Sequence, residues 1–225
     1  MTRSDEFYQV ILEGLADYLG NDFVADVLET IIRFPDAELH YALNKNQIAS
    51  KTWLIDEFRR ANGRRVGTVY VLGGWYGVLA AMLLNDRRLD IDGVVSVDID
   101  PACAAVAGAV NRSHAETARF TALTADMCDL DYRRVEGGRH HGAAAPDVII
   151  NTSCEHLGRF DDWYARVPDG MFQVLQSNDY FDCDEHVNCV ADIEAFKRQA
   201  PMAETLYEGE MKRKRYTRFM LIGRK

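Results

Sequence analysis

The chain has no run of about eighteen apolar residues of the kind that spans a membrane, and its opening, "MTRSDEFYQV", has neither the apolar core nor the cleavage site of a secretory signal. A cytoplasmic location is expected. Its five cysteines, Cys103, Cys128, Cys154, Cys183 and Cys189, are odd in number and nowhere spaced CxxC, so neither a disulfide framework nor a zinc knuckle is indicated and free thiols are expected. Positive balance is missing as well. A formal charge of −9 disfavours the broad basic field with which nucleic-acid binders gather phosphates, which makes a small molecule the default partner; a homodimer is compatible with the sequence. Repeats and low-complexity tracts are absent. What is abundant is apolar material, 48% of 225 residues, enough for the core of one compact unit.

Apolar positions such as Tyr8, Ile11, Leu12, Leu15 and Tyr18 recur every three or four residues, which predicts a helix near the start of a helical stretch covering 5 to 60. After a break at "RFPDAE" a second helix, "QIASKTWLIDEFRRANG", is expected to stop at Asn62-Gly63, giving two or three helices before the first strand. From Val66 the pattern alternates. Strands are predicted at "TVYVLG", "GVVSVDID", "RFTALTAD", "PDVIIN" and "MFQVLQS", with helices at "YGVLAAMLLND", "PACAAVAGAVNRS" and "FDDWYARV". Such alternation implies a parallel sheet covered by helices. The tail differs: "AETLYEGE" and "RYTRFMLIG", joined through "MKRK", read as a closing antiparallel pair. "GGRHHGAAAP" reads as a flexible insertion, and "KRKR" at 212 to 215 as the solvated hairpin turn. The expected division is a helical cap over 1–63 and an α/β domain over 64–225.

Three polar features fall at strand ends. Gly73, Gly74 and Gly77 follow the first strand and allow close backbone approach and positive φ, for a ligand or simply for a tight turn. Aligning Gly73 with GxGxxG puts Trp75 and Val78 where the later glycines stand, so a dinucleotide pyrophosphate is not favoured. Asp98 ends the second strand in "SVDIDP", beside Ile99, about twenty residues after the glycines, where a carboxylate accepts hydrogen bonds from ribose hydroxyls. Asp100, before Pro101, is a natural helix cap. After the third strand, Asp126 and Met127 in "TADM" offer a carboxylate for an adenine amino group and a backbone for a ring nitrogen; a turn-capping aspartate is the plainer alternative.

This order of motifs resembles that of the class I S-adenosylmethionine-dependent methyltransferase family over roughly residues 66 to 225. The resemblance implies a Rossmann-like sheet of five parallel strands plus a terminal antiparallel hairpin, with S-adenosylmethionine as cofactor held by Gly73, Gly74, Gly77, Asp98, Ile99, Asp126, Met127 and Asn151. Two departures stand out: Trp75 replaces the middle glycine of GxGxG, and Val71 stands where an acid is common. The Trp75 ring is expected to point away from the turn, to wall the methionyl end, or to pack in the core.

Acceptor chemistry should lie after the fourth strand, in "NTSCEHL". Base-methylating relatives often carry Asn/Asp-Pro-Pro-aromatic there, and only Asn151 fits, which speaks against a nucleobase acceptor. Asn151 and His156 are the candidate catalytic residues. His156 suits proton acceptance near neutrality or merely caps a helix; Glu155 orients the imidazole or faces solvent. Gln176, Asn178 and Tyr180 after strand five, with Gln47 and Lys51 from the N-terminal helices, are candidate contacts to a polar acceptor. In "CDEHVNC" the two thiols are six apart without a second pair, so no metal is expected. The combination "NTSCEHL", "LQSNDY", "EHVNC" and "RYTRFMLIG" also resembles a less-characterised subgroup of methyltransferase-like proteins. The expected activity is methyl transfer to nitrogen or oxygen of a small polar acceptor. Two alternatives are cyclisation or aminocarboxypropyl transfer that releases methylthioadenosine, and a non-catalytic binder of adenosyl ligands.

Overall fold

The computed structural model describes residues 3–133 and 144–225. Four helices come first: α1 (Arg3–Leu19), α2 (Asp22–Arg33), the single turn α3 (Leu39–Ala42) and α4 (Lys45–Asn62). The sequence predicted two or three, because the short α3 offers too few positions to display a period. The predicted stop of the second helical stretch is found. Gly63 caps α4 at φ 82°, and its N–H donates to the Arg59 carbonyl.

The sheet follows: β1 (Arg65–Leu72), α5 (Val78–Asn85), β2 (Asp90–Asp98), α6 (Pro101–Val110), α7 (Arg112–Glu116), β3 (Phe120–Thr124), β4 (Val148–Asn151), α8 (Phe160–Arg166), β5 (Phe172–Asn178), α9 (Ile193–Gln199), β6 (Glu204–Lys212) and β7 (Thr217–Arg224). Its seven strands run in the order β3-β2-β1-β4-β5-β7-β6. The first five are parallel, and β7 pairs antiparallel with both β5 and β6. Order reverses at β1, which makes the C-terminal ends of β1 and β4 the switch point where open α/β sheets hold ligands.

Three details differ from the sequence reading. The hairpin turn falls after Lys212, so Met211 and Lys212 extend β6. Helices α7 and α9 were not anticipated; α7 is a five-residue piece without a buried side chain, and α9 is a seven-residue piece that buries Phe196. The predicted insertion 137–146 lies largely outside the described residues.

Both faces of the sheet are covered, and alternation along β1 shows how. Val69 and Val71 pack with Leu54 and Phe58 of α4 and Leu79 and Leu83 of α5, whereas Tyr70 and Leu72 pack with Phe160 and Trp163 of α8. The N-terminal helices are tied down by buried polar contacts. Asp26 of α2 accepts from the Ser113 N–H (3.0 Å) and hydroxyl (2.7 Å), Ser50 donates to Gln176 Oε1 at 3.1 Å, and Trp53 Nε1 donates to the Tyr207 hydroxyl at 3.0 Å. Helix α1 is looser: Ile11, Leu15 and Tyr18, predicted as its apolar stripe, are exposed. No helix among the described residues is long and apolar enough to cross a membrane.

Candidate active site

A cleft of about 900 Å³ opens over the C-terminal ends of β1, β2 and β4 and beneath α4. Its floor is the turn after β1. Gly73 and Gly77 have φ 61° and 70°, and Trp75 has φ 48°, so three of five consecutive residues are left-handed. For a residue with a Cβ that conformation costs about 1–2 kcal/mol, which something must hold. Asp98 does part of this: its Oδ2 accepts from the Trp75 N–H at 2.7 Å, while Oδ1 accepts from the Asp100 N–H at 3.0 Å. The ring does the rest. It stacks on Tyr76 with centroids 4.8 Å apart and packs against the buried cluster of Leu39, Ala42, Val78, Ala81, Val106 and Val110, to which the helical cap contributes. Trp75 thus serves the core and one wall of the cleft together.

The glycines have distinct reasons. A Cβ on Gly73 would stand 2.7 Å from Ser153 Oγ, and one on Gly74 would stand 2.0 Å from Ser96 Oγ. Both face the cleft. Gly77 does not line it; its neighbours are Asn111 and Ala107 of the α6 region, and Asn111 donates its amide to the Gly77 carbonyl at 3.0 Å. Gly77 is therefore required by helix packing, not by contact with a ligand.

Asp98, Ile99, Asp126 and Met127 all line the cleft. Asp126 caps a short turn by accepting from the Cys128 N–H at 2.8 Å and has Arg159 at 3.7 Å. Across from them stand Thr152, Ser153, Glu155 and His156, together with Gln47 and Lys51 of α4, Gln176 of β5 and Arg218 of β7.

Besides Gly77, three of the residues named from sequence sit elsewhere. Asn151 is fully buried, its Oδ1 accepting from the Ser153 N–H at 2.9 Å and its Nδ2 facing Met127 Sδ at 3.5 Å. Asn178 is buried too, donating to Glu155 at 2.6 Å and accepting from the Tyr180 N–H at 2.9 Å. Tyr180 packs against Tyr216 and His186. All three shape the site from behind. Asn178 shares the face of β5 with the cleft-lining Gln176 but is engaged by Glu155, which itself lines the cleft, and Asn151 is engaged by the Ser153 N–H; strand spacing displays neither partner.

Arg218 is the main residue the sequence reading missed. It sits in "RYTRFMLIG", which reads as an ordinary strand, and only the antiparallel return of β7 brings it to the cleft. Its guanidinium lies 3.3 Å from Glu155 Oε1, a pair with side chains 11% and 2% exposed. Lys51 donates to Gln47 at 2.6 Å and pairs with no carboxylate among the described residues; burial first, then the Arg218 cation, push its ammonium down to about 8. Two cations beside one paired acid make this end of the cleft receptive to an anion. Burial also raises the Cys154 thiol well above its ordinary range and the Cys189 thiol to about 11, so neither is a ready nucleophile.

No protein-family model matches the chain, and no curated protein does either. Solved structures do. N-methyltransferase NodS from Bradyrhizobium japonicum WM9 is 11% identical over 81% of this chain and 98% of its own, with a TM-score of 0.57. Geranyl diphosphate C-methyltransferase from Streptomyces coelicolor A3(2) is 11% identical, covering 80% and 81%, with a TM-score of 0.56. The [4+2]-cyclase SpnF is 12% identical, covering 80% and 82%, with a TM-score of 0.59. At such identities the likeness establishes a shared fold, the Rossmann-like methyltransferase sheet expected from the sequence.

Proposed function

We propose that the chain binds S-adenosylmethionine over the ends of β1, β2 and β3 and transfers its methyl group to a small polar acceptor at nitrogen or oxygen. The observation that carries this reading is the convergence of the Gly73-Gly74 backbone, Asp98 and Asp126 on one cleft wall. The fit is physical. Each Asp98 oxygen accepts one backbone N–H and keeps a second lone pair for a ribose hydroxyl. Gly73 and Gly74 expose their backbone to the cleft, and a cleft of about 900 Å³ suits a nucleoside with room beside it. Two solved neighbours, NodS and geranyl diphosphate C-methyltransferase, were each determined with S-adenosylhomocysteine, which supports the same occupant here.

When bound, the cofactor supplies an electrophilic methyl on a sulfonium, displaced in line to leave S-adenosylhomocysteine. The residues of the chain then have the tasks of positioning the nucleophile and receiving its proton. His156 is placed for the second: its Nδ1 lies 3.1 Å from the Glu185 carbonyl, which only accepts, so in the neutral ring Nε2 is the proton acceptor. Gln47, Lys51, Gln176 and Arg218 suit an acceptor bearing an anionic group. Helices over residues 1–63 act as the cap of this cleft, α4 contributing its wall.

The fold also carries a [4+2]-cyclase, so the sheet alone does not choose the chemistry. Incubation with methyl-labelled S-adenosylmethionine and a metabolite extract decides it. Labelled acceptor with S-adenosylhomocysteine is the expected outcome; methylthioadenosine would point to cyclisation or aminocarboxypropyl transfer, and calorimetric preference for NAD would remove the reading.

A further inference from the structure

We infer that Glu155, His156 and His186 form a binding site for one divalent first-row transition-metal ion at the acceptor end of the cleft. A carboxylate oxygen of Glu155 and one ring nitrogen from each histidine lie within 4.8 Å of one another. The two rings meet edge to face, with centroids 4.6 Å apart.

The hydrogen bonds around the cluster leave it with acceptors and no donor. His156 Nδ1 lies 3.1 Å from the Glu185 carbonyl and His186 Nδ1 lies 3.0 Å from the Tyr180 carbonyl. A carbonyl oxygen only accepts, so each Nδ1 carries its proton and each neutral ring presents the Nε2 lone pair. Glu155 is 1% exposed. Its Oε1 takes the Asn178 amide at 2.6 Å and Arg218 at 3.3 Å, while its Oε2 is buried with no hydrogen-bond partner among the described residues. A buried carboxylate oxygen without a donor is costly, and two imidazole lone pairs beside it add to that cost. A cation resolves all three at once.

The surroundings are built as the outer sphere of a metal site is. Each ligating imidazole has its second nitrogen fixed by a carbonyl, and the ligating carboxylate has its second oxygen fixed by an amide and a guanidinium. The segment that carries His186 is clamped to the turn that carries Glu155: the Asn188 N–H donates to the Glu155 carbonyl at 2.8 Å and its amide to the Cys154 carbonyl at 2.9 Å. Metal–ligand bonds near 2.1 Å place ligand atoms about 3 Å apart, so closure needs a modest inward swing of side chains on a fixed backbone.

Two imidazoles and one carboxylate select zinc, iron(II), cobalt(II), nickel(II) or manganese(II) over calcium and magnesium, whose preferred ligands are all oxygen. Three protein ligands leave at least one position open. Glu155 and His156 line the cleft, so that position faces it and takes an oxygen donor of the acceptor. This last step rests on the cofactor reading, and with the ion bound His156 Nε2 is a ligand in place of a proton acceptor; the site itself does not rest on that reading.

The test uses the full chain, stripped with a chelator, desalted, and titrated with zinc and with cobalt(II) in the absence of S-adenosylmethionine. Expected are one ion per chain by calorimetry and elemental analysis, a visible cobalt(II) spectrum, and affinity at least about 30-fold weaker in His186→Ala and in His156→Ala, both folded by circular dichroism. Substoichiometric binding, or affinity within threefold of the native chain in the double variant H156A/H186A, overturns the site, the latter because the ions would then sit on thiols. Metal binding without S-adenosylmethionine binding would leave the site standing and remove the cofactor assignment instead.

Discussion

Replacing Asp98 by alanine removes two things of different size, and measuring both separates ligand recognition from local stability. In the free protein the carboxylate accepts the Trp75 N–H at 2.7 Å and the Asp100 N–H at 3.0 Å, and so helps to hold Trp75 at φ 48°. Losing two such hydrogen bonds at about 1 kcal/mol each lowers stability by about 2 kcal/mol, or about 4–8 °C in melting temperature for a chain of this length. With the nucleoside bound, two ribose hydroxyls donate to the same carboxylate. Hydrogen bonds to a charged acceptor are worth about 1.5–3 kcal/mol each, so even the lower figure gives about 3 kcal/mol, or about 100-fold in Kd. Asp98→Asn should do little better: it has one oxygen for two backbone donors, so its amide nitrogen must face an N–H. Calorimetric titration of S-adenosylmethionine and S-adenosylhomocysteine against each variant, with melting curves of the unliganded proteins, reads both terms. A folded Asp98→Ala variant that binds within threefold of the native chain would refute the placement of the sugar and the argument built on it.

Lys51 gives a pH signature. Its ammonium is pushed down to about 8 from 10.5, so between those values the unfolded chain binds the extra proton and stability rises with pH. Relative to native protein, Lys51→Met should be more stable below pH 8 by on the order of 3 kcal/mol, the advantage fading towards pH 10.5 in denaturant titrations; a pH-independent difference would show that the lysine is solvated. Gly74→Ala would put a Cβ 2.0 Å from Ser96 Oγ and should cost about 1–3 kcal/mol, part of which Ser96→Ala restores in the double variant; additive losses would place the clash elsewhere. Arg218→Met leaves the Glu155 carboxylate buried without its cation, for a loss of about 3–5 kcal/mol, and the added change Glu155→Gln should recover more than half of it by chemical denaturation. Equal losses in the single and double variants would mean that the pair contributes packing alone.

The sequence by itself determined the order of the elements and the residues at the strand tips. Short apolar runs from Val66 onward, glycines after β1, Asp98 at the end of β2 and Asp126 after β3 are local signals, and local backbone chemistry writes them into consecutive residues. Tertiary structure decided everything that depends on which way a side chain points or on which distant segment returns beside it. Asn151 and Asn178 lie in the stretches the sequence singled out, yet both are buried, Asn151 holding the Ser153 N–H and Asn178 holding Glu155. Arg218 reaches the cleft only because β7 runs antiparallel beside β5, with Asn178 opposite it in register. The cluster of Glu155, His156 and His186 joins residues some thirty positions apart, so no spacing within "NTSCEHL" or "CDEHVNC" displays it. Trp75 belongs to both halves: its left-handed backbone follows from the turn, but the ring that makes a tryptophan tolerable there is held by helices folded back from the N-terminus.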